Sequence, residues 1–162
     1  MSEGPPPLES LDGRQSAAAM EIRRGAQRLL RAHGLASLPE VTLASGRRAD
    51  LLALAPDGRI AIVEIKSSVA DFRADHKWPD YQAFADQLYF AVGPAFPQAL
   101  IPESAGLIVA DRYGGEVVRE APTCKLAPAR RKAVTLLLAR IAASRLHAGA
   151  DPEAFQGEIA DG

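Results

Sequence analysis

The sequence predicts a mixed α/β domain in which helices pack on one central sheet. Three observations support this fold class. Apolar residues recur at helical spacing near both ends of the chain, and short extended runs separated by turn residues fill the middle. The chain has 162 residues, 48% of them hydrophobic, which suits about one domain with a sizeable core. The expected order is helix, three strands, helix, strand, β-hairpin and C-terminal helix.

The first helix is expected over residues 17–33. Its apolar residues lie on one face and its arginines on the other, and Gly34 suits the position that ends a helix. The pattern becomes helical again after residue 66, and Pro79 suits the first turn of a further helical segment. A last helix is expected over residues 128–146, with Pro128 at its start.

Six extended runs are expected to form strands. Residue pairs and triplets typical of turns separate them, such as Ser45-Gly46, Pro56-Asp57-Gly58 and Gly114-Gly115. The expected strands are 40–44, 48–54, 60–66, 88–92, 107–111 and 116–120.

Charge divides the chain into a domain with two acidic flanks. We expect a disordered leader over residues 1–16, one domain over 17–148 and a disordered acidic tail over 149–162, because the flanks lack apolar periodicity. The overall net charge is −1, but segment 21–48 carries +4 and segment 121–148 carries +6. These basic segments are candidate phosphate contacts, and solvated helix faces are the alternative.

Composition excludes several classes of protein. No apolar run approaches the roughly 18 residues of a membrane span, and the first sixteen residues lack the basic start and apolar centre of a secretory signal. The single cysteine, Cys124, excludes an internal disulfide and a cysteine-based zinc site. We therefore expect a cytoplasmic protein with no membrane partner.

The second and third strands bring together the residues that carry chemistry. The turn at 55–58 predicts a three-residue hairpin loop that pairs Ala55 with Arg59, with Gly58 in a left-handed conformation. Counting back along both strands places Asp50 opposite Glu64, and Lys66 lies on the same face. Two carboxylates and one amine are thus expected to converge beside an apolar interior, where facing like charges are costly.

A divalent cation would offset that cost. Mg²⁺, or Mn²⁺ in its place, is often held by one or two carboxylates while water and substrate phosphate complete its shell. Asp50 and Glu64 are therefore the predicted metal ligands, and Lys66 would stabilise the developing negative charge. The implied reaction is phosphodiester hydrolysis. The alternative is an edge ion pair between Glu64 and Lys66 that has only a structural role.

The same residues resemble a known group. Asp50 followed after thirteen residues by Glu64-Ile65-Lys66 looks like the PD-(D/E)XK nuclease superfamily, whose core is restriction-endonuclease-like. More closely, residues 18–147 resemble the bacterial MmcB-like DNA-repair proteins. The motifs that carry this likeness are 40–43 (EVTL), 46–50 (GRRAD), 63–68 (VEIKSS), 71–75 (DFRAD), 77–79 (KWP) with Tyr81, 106–111 (GLIVAD) and 126–133 (LAPARRKA).

The resemblance implies roles for individual residues. Asp50 and Glu64 would bind metal, the Ile65 carbonyl would be a third ligand, and Lys66 would be the catalytic lysine. The acid that the superfamily carries on its first helix has two candidate counterparts here, Glu21 and Glu40.

Two arginines, a lysine, a serine and two aromatic residues around the acids are candidate nucleic-acid contacts. For the arginine pair the alternative is neutralisation of the two acids, and for Trp78 it is core packing. The candidates are Arg47, Arg48, Ser67, Lys77, Trp78 and Tyr81.

These observations predict a metal-dependent endonuclease that acts on DNA in repair. The alternative is a catalytically silent DNA-binding or scaffold protein of the same fold. DNA is the expected partner, and other repair proteins or a second copy of the chain are left open.

Overall fold

A computed structural model describes residues 16–156 and contains one six-stranded sheet with the strand order β1-β2-β3-β4-β5-β6. Neighbouring strands are antiparallel except β3-β4 and β4-β5, which are parallel, so the sheet is mixed. Helix α1 packs on one face, and α3 and the segment between β3 and β4 pack on the other. This confirms the predicted fold class.

The helices and strands have the following bounds. The helices are α1 (Ala17–Ala32), α2 (Val69–Ala74) and α3 (Pro128–Ala150), and 3-10 helices cover Trp78–Phe84, Gln98–Leu100 and Pro152–Phe155. The strands are β1 (Ala36–Thr42), β2 (Arg48–Leu54), β3 (Ile60–Lys66), β4 (Gln87–Val92), β5 (Gly106–Asp111) and β6 (Gly114–Arg119).

Strands β2 and β3 have the predicted bounds, whereas β1 begins earlier than the predicted run 40–44. Gly34 adopts a φ of 81° and ends α1, so the chain extends at once and Ala36 pairs with Leu54. At the other end, β1 stops at Thr42 because the next residues form a tight turn, in which the Leu43 amide donates to the Arg47 carbonyl. The apolar pattern of 40–44 therefore marks the buried end of a longer edge strand.

The predicted boundary between domain and tail at residue 148 falls inside α3. Gly149 stays helical, and the helix continues to Ala150 before the 3-10 helix that begins at Pro152. The Phe155 ring meets the His147 ring edge-on at 5.1 Å, which holds this short helix against α3. The expectations for residues 1–15 and 157–162 lie outside the described residues and stay predictions.

The two faces of the sheet have separate cores. From Leu51 onward, odd-numbered residues of β2 and β3, such as Val63, pack with α1, whereas Ala49 belongs to the other core. Even-numbered residues, such as Leu52 and Ile62, pack with α3 and the Trp78–Phe84 helix. Because side chains alternate along a strand, Asp50, Glu64 and Lys66 lie on the second face. No helix within residues 16–156 is long and apolar enough to cross a membrane.

Candidate functional site

The β2–β3 hairpin has the predicted turn and register. The Ala55 amide donates to the Arg59 carbonyl at 2.9 Å, and Gly58 has a φ of 91°. Leu54 pairs with Ile60, and the ladder continues in step to Leu51 opposite Val63. The next step along this register places Asp50 opposite Glu64.

At this pair, hydrogen bonds from backbone amides to the two carboxylates replace the backbone-to-backbone hydrogen bonds of the ladder. The Asp50 amide donates to Glu64 Oε1 at 3.0 Å, and the Ile65 amide donates to Asp50 Oδ2 at 2.8 Å. Each carboxylate thus accepts a backbone hydrogen bond from the opposite strand. The structure therefore brings the two predicted acids together and holds both in place at the end of the hairpin.

The electrostatics of this pair favour the neutral carboxyl. Burial raises the pKa of Glu64 well above its usual value, and the facing charge of Asp50 raises it further. Burial also raises the pKa of Asp50, although the hydrogen bond from the Ile65 amide opposes the shift. Glu64 is only 4% exposed, whereas Asp50 is partly exposed. The two side chains also hydrogen-bond to each other, which raises the pKa of Glu64 and lowers that of Asp50.

Lys66 does not pair with Glu64. Its ammonium donates to Asp75 Oδ2 at 2.8 Å, and Asp75 Oδ1 also accepts from the Lys77 amide at 2.9 Å. Burial of Asp75 opposes ionisation, but the hydrogen bond from Lys66 holds the pKa of Asp75 below its ordinary value. This arrangement removes the structural alternative in which Lys66 and Glu64 form an ion pair.

Sequence reasoning assigned no role to Asp75, although it lies inside the DFRAD motif. It caps the C-terminal end of α2, nine residues beyond Lys66. The spacing between Lys66 and Asp75 does not reveal this contact, because the contact depends on how α2 folds back over β3. The available signal was only that an acid follows a short helical run after the lysine.

The basic candidates surround the site without neutralising the acids. Arg47 Nε contacts Asp80 Oδ2 at 2.9 Å rather than Asp50 or Glu64, and its side chain is 30% exposed. Arg48 is exposed. An exposed pair such as Arg47–Asp80 is worth less than about 1 kcal/mol, so a phosphate can compete for the arginine.

The aromatic candidates have structural contacts. Trp78 packs edge-on against Phe90 at 5.4 Å, which fits the core alternative. The Tyr81 hydroxyl donates to the Arg48 carbonyl at 2.8 Å. Burial raises the pKa of Tyr81, with further contributions from Glu64 and Asp50. Tyr81 is therefore a neutral side chain that positions the start of β2.

Four further candidates differ in position. Glu21 lies on α1, and Ser67 is an odd-numbered residue whose hydroxyl meets that of Ser16 at the start of α1, so both belong to the opposite face. Glu40 lies between paired residues of β1 that flank Asp50 in the register, and its φ of 52° distorts the strand there. The Lys77 side chain is exposed, and the Lys77 amide donates a hydrogen bond to Asp75.

Two facing carboxylates fit a hard divalent cation. Within residues 16–156, no three acid, histidine or cysteine side chains form a group that could hold a metal ion. A site built here would therefore use the two acids, backbone oxygen, water and substrate, which is a common way for proteins to hold Mg²⁺. Burial raises the pKa of both carboxyls, and a bound cation would stabilise their charged forms.

Comparisons with known proteins agree with the fold. The family model for the MmcB-like DNA repair proteins matches residues 6–153. A solved structure of a protein of unknown function from Silicibacter pomeroyi is 46% identical, covers 86% of this chain and 96% of its own, and superposes with a TM-score of 0.82. A search of curated proteins found no match. The chain therefore belongs to the MmcB-like DNA repair protein family.

Proposed function

We propose that this protein is a metal-dependent endonuclease that cleaves DNA during repair. Membership of a DNA repair family supports the repair role and an interaction with DNA. The observation that carries the catalytic part is the pair of facing carboxylates, Asp50 near the start of β2 and Glu64 near the end of β3. Both have a raised pKa, and the nearest lysine is bound to another acid.

Asp50 and Glu64 would hold Mg²⁺ or Mn²⁺. Their mutual repulsion in the metal-free protein would become attraction to the cation, so the arrangement favours binding. The Ile65 carbonyl is the candidate third protein ligand. When bound, the metal would lower the pKa of a water and polarise a phosphoryl oxygen.

Lys66 would act on the phosphate side of the site. Its ammonium lies on the same face of β3 as Glu64 and lowers the pKa of both acids by its charge. A fixed positive charge there stabilises the negative charge that develops on a cleaved phosphate. Asp75 would be a positioning residue, because it holds the ammonium at one place through the 2.8 Å contact.

DNA would reach the site from the side of Asp50. Glu64 and Lys66 are 4% and 6% exposed, so only Asp50 among the three is partly open to solvent. Arg47 and Arg48 lie at the start of β2 beside Asp50 and would hold the phosphates that flank the cleaved bond.

A catalytically silent DNA-binding or scaffold protein is the second candidate. The observation that favours it is that each carboxylate already accepts a backbone hydrogen bond, so the acids also close the end of the hairpin. In this case Asp50 and Glu64 would be retained for architecture alone.

A cleavage assay on branched, flapped, single-stranded and duplex DNA separates the two candidates. The wild type should cut at least one substrate with Mg²⁺ or Mn²⁺ and none in EDTA. Asp50→Asn, Glu64→Gln and Lys66→Met should each lower the rate at least about a hundredfold, because each removes a charge from the reacting centre. Glu103→Gln is the matched control, since Glu103 is exposed in a turn, and it should keep full activity.

Calorimetric titration with Mn²⁺ gives a readout besides activity. The wild type should bind the ion, and Asp50→Asn and Glu64→Gln should bind it much more weakly. No cleavage of any substrate together with no Mn²⁺ binding by the wild type would reject the nuclease and leave the scaffold.

A further inference from the structure

We infer that a second nucleic-acid surface, on the face of the sheet opposite the acids, binds single-stranded DNA. This basic groove is formed by α1 and the β5–β6 turn, and Tyr113 at the tip of that turn is its stacking platform. It is separate from Asp50, Glu64 and Lys66, and its binding does not depend on metal.

The groove is strongly basic. It has a volume of about 580 Å³, and its walls include four arginines and one carboxylate, Glu21. An adjoining groove shares Gln27 and Arg28 with it and adds Arg31, so the basic surface runs along α1. The arginines of this surface are Arg23, Arg24, Arg28, Arg31 and Arg112.

These arginines have no acidic partner among the residues that the structure describes. Within residues 16–156, none of the five forms an ion pair. Arg24, Arg28 and Arg31 follow each other at helical spacing and are all exposed. Guanidinium groups in a row that form no ion pair attract phosphates, because each is a charged donor with planar geometry.

An exposed aromatic residue completes the surface. Tyr113 is 72% exposed, which is unusual for a side chain with a large apolar ring. The Arg112 guanidinium lies over its ring at 5.4 Å, and Arg28 Nη1 donates to the Tyr113 carbonyl at 3.2 Å. The ring is therefore presented to solvent among positive charges, as in sites where bases stack.

Close packing fixes the turn against the helix. A Cβ atom on Gly25 would lie 1.8 Å from the Asp111 carbonyl oxygen and 2.5 Å from that of Gly114, so glycine allows α1 to touch this backbone. Asp111 also accepts hydrogen bonds from the Tyr113 and Gly114 amides through Oδ1. Tyr113 thus has a defined place beside the arginines of α1.

Single-stranded DNA is the partner that suits both features. Phosphates need only the row of arginines, but stacking on Tyr113 needs a base whose face is open, as it is in a single strand. The groove and the acids lie on opposite faces of the sheet, so this surface is separate from the candidate catalytic site.

The test is fluorescence anisotropy with a labelled oligothymidine of about 15 nucleotides in EDTA. EDTA prevents any contribution from metal at Asp50 and Glu64, so the result does not depend on nuclease activity. Tyr113→Ala should weaken binding about tenfold, and Tyr113→Phe should bind as the wild type does, because phenylalanine keeps the stacking face. Arg24→Gln and Arg112→Gln should each lower the slope of log affinity against log salt by about 0.7.

Arg140→Gln is the matched control. Arg140 is exposed on α3, on the other side of the sheet, and forms no ion pair within the described residues. Its affinity and salt slope should equal those of the wild type. The inference is wrong if Tyr113→Ala binds as tightly as Tyr113→Phe, if Arg140→Gln lowers the slope as much as Arg112→Gln does, or if a duplex of the same length binds more tightly than the single strand.

Discussion

Replacing Glu64 with glutamine removes one of two facing carboxylates and keeps an oxygen that can accept the hydrogen bond from the Asp50 amide. The metal-free variant should therefore be more stable than the metal-free wild type. Glu64→Ala should not show this gain, because it leaves the Asp50 amide without its acceptor and opens a cavity in a buried site.

The magnitude follows from the position of the pair. Opposed residues on neighbouring strands have Cβ atoms about 5 Å apart, and two full charges at that distance repel by about 3 kcal/mol at an effective dielectric constant of about 20. Burial raises the pKa of both groups and their side chains hydrogen-bond to each other, so the realised repulsion is smaller than that of two full charges. We expect Glu64→Gln to gain about 1–3 kcal/mol at pH 8. Glu64→Ala relieves the same repulsion, but the unpaired amide and the cavity offset that gain, so it should be no more stable than the wild type.

Thermal unfolding followed by circular dichroism measures both effects. For a domain of this size, about 1 kcal/mol corresponds to roughly 3–4 °C, so Glu64→Gln should melt about 3–12 °C above the wild type in EDTA. Mn²⁺ at about 100 times its dissociation constant should stabilise the wild type by about 2.7 kcal/mol and the variant far less. The exposed-acid variant Glu103→Gln should melt as the wild type does under both conditions.

One combination of results refutes this reasoning. A wild type that melts at the same temperature in EDTA and in millimolar Mn²⁺ has no metal site at the acids. If Glu64→Gln also melts lower than the wild type, the two carboxylates do not repel each other, and their role is structural.

Other contacts lead to further predictions. Asp75→Asn should lower the free energy of unfolding, measured with urea, by about 2 kcal/mol. This is less than the loss of one partner from a fully buried ion pair, because Asp50 and Glu64 remain near the Lys66 ammonium. Burial raises the pKa of Asp86, but hydrogen bonds from Arg131 and from the Ile60 and Leu126 amides outweigh it and hold that pKa at about 2. Ionised Asp86 should therefore add about 1–2 kcal/mol to the free energy of unfolding above pH 4, and this contribution should be lost as the pH falls through 2. Urea unfolding between pH 2 and 5 should show this loss in the wild type but not in Asp86→Asn. Gly25→Ala should lower the melting temperature by several degrees through its clash with the β5–β6 turn, whereas Gly149→Ala, in open helix, should leave it unchanged or slightly higher.

Much of the candidate site could be predicted because it is local in the chain. Asp50 and Glu64 belong to one hairpin, whose turn residues determine the loop and whose loop determines every pair that follows. The alternation of side chains then places Lys66 on the same face. The motif around these residues also predicted the family.

Contacts between distant segments needed the tertiary structure. Asp75 reaches Lys66 only because α2 turns back over β3, and Glu21 lies on the face opposite the acids because α1 packs there. The length of α3 was underestimated because Gly149 stays helical, which the sequence alone does not indicate. Tyr113 meets the arginines of α1 although about 85 residues separate it from Arg28.

The hairpin register and the identity of the facing acids were thus determined by the sequence itself, since turn chemistry and the two-residue period of a strand act between close neighbours. Only the packing of helices on the sheet decided three other features: the pairing of Lys66 with Asp75, the separation of the two faces and the position of Tyr113. Such packing depends on the shapes of apolar surfaces that meet across the whole chain, and no local pattern records them.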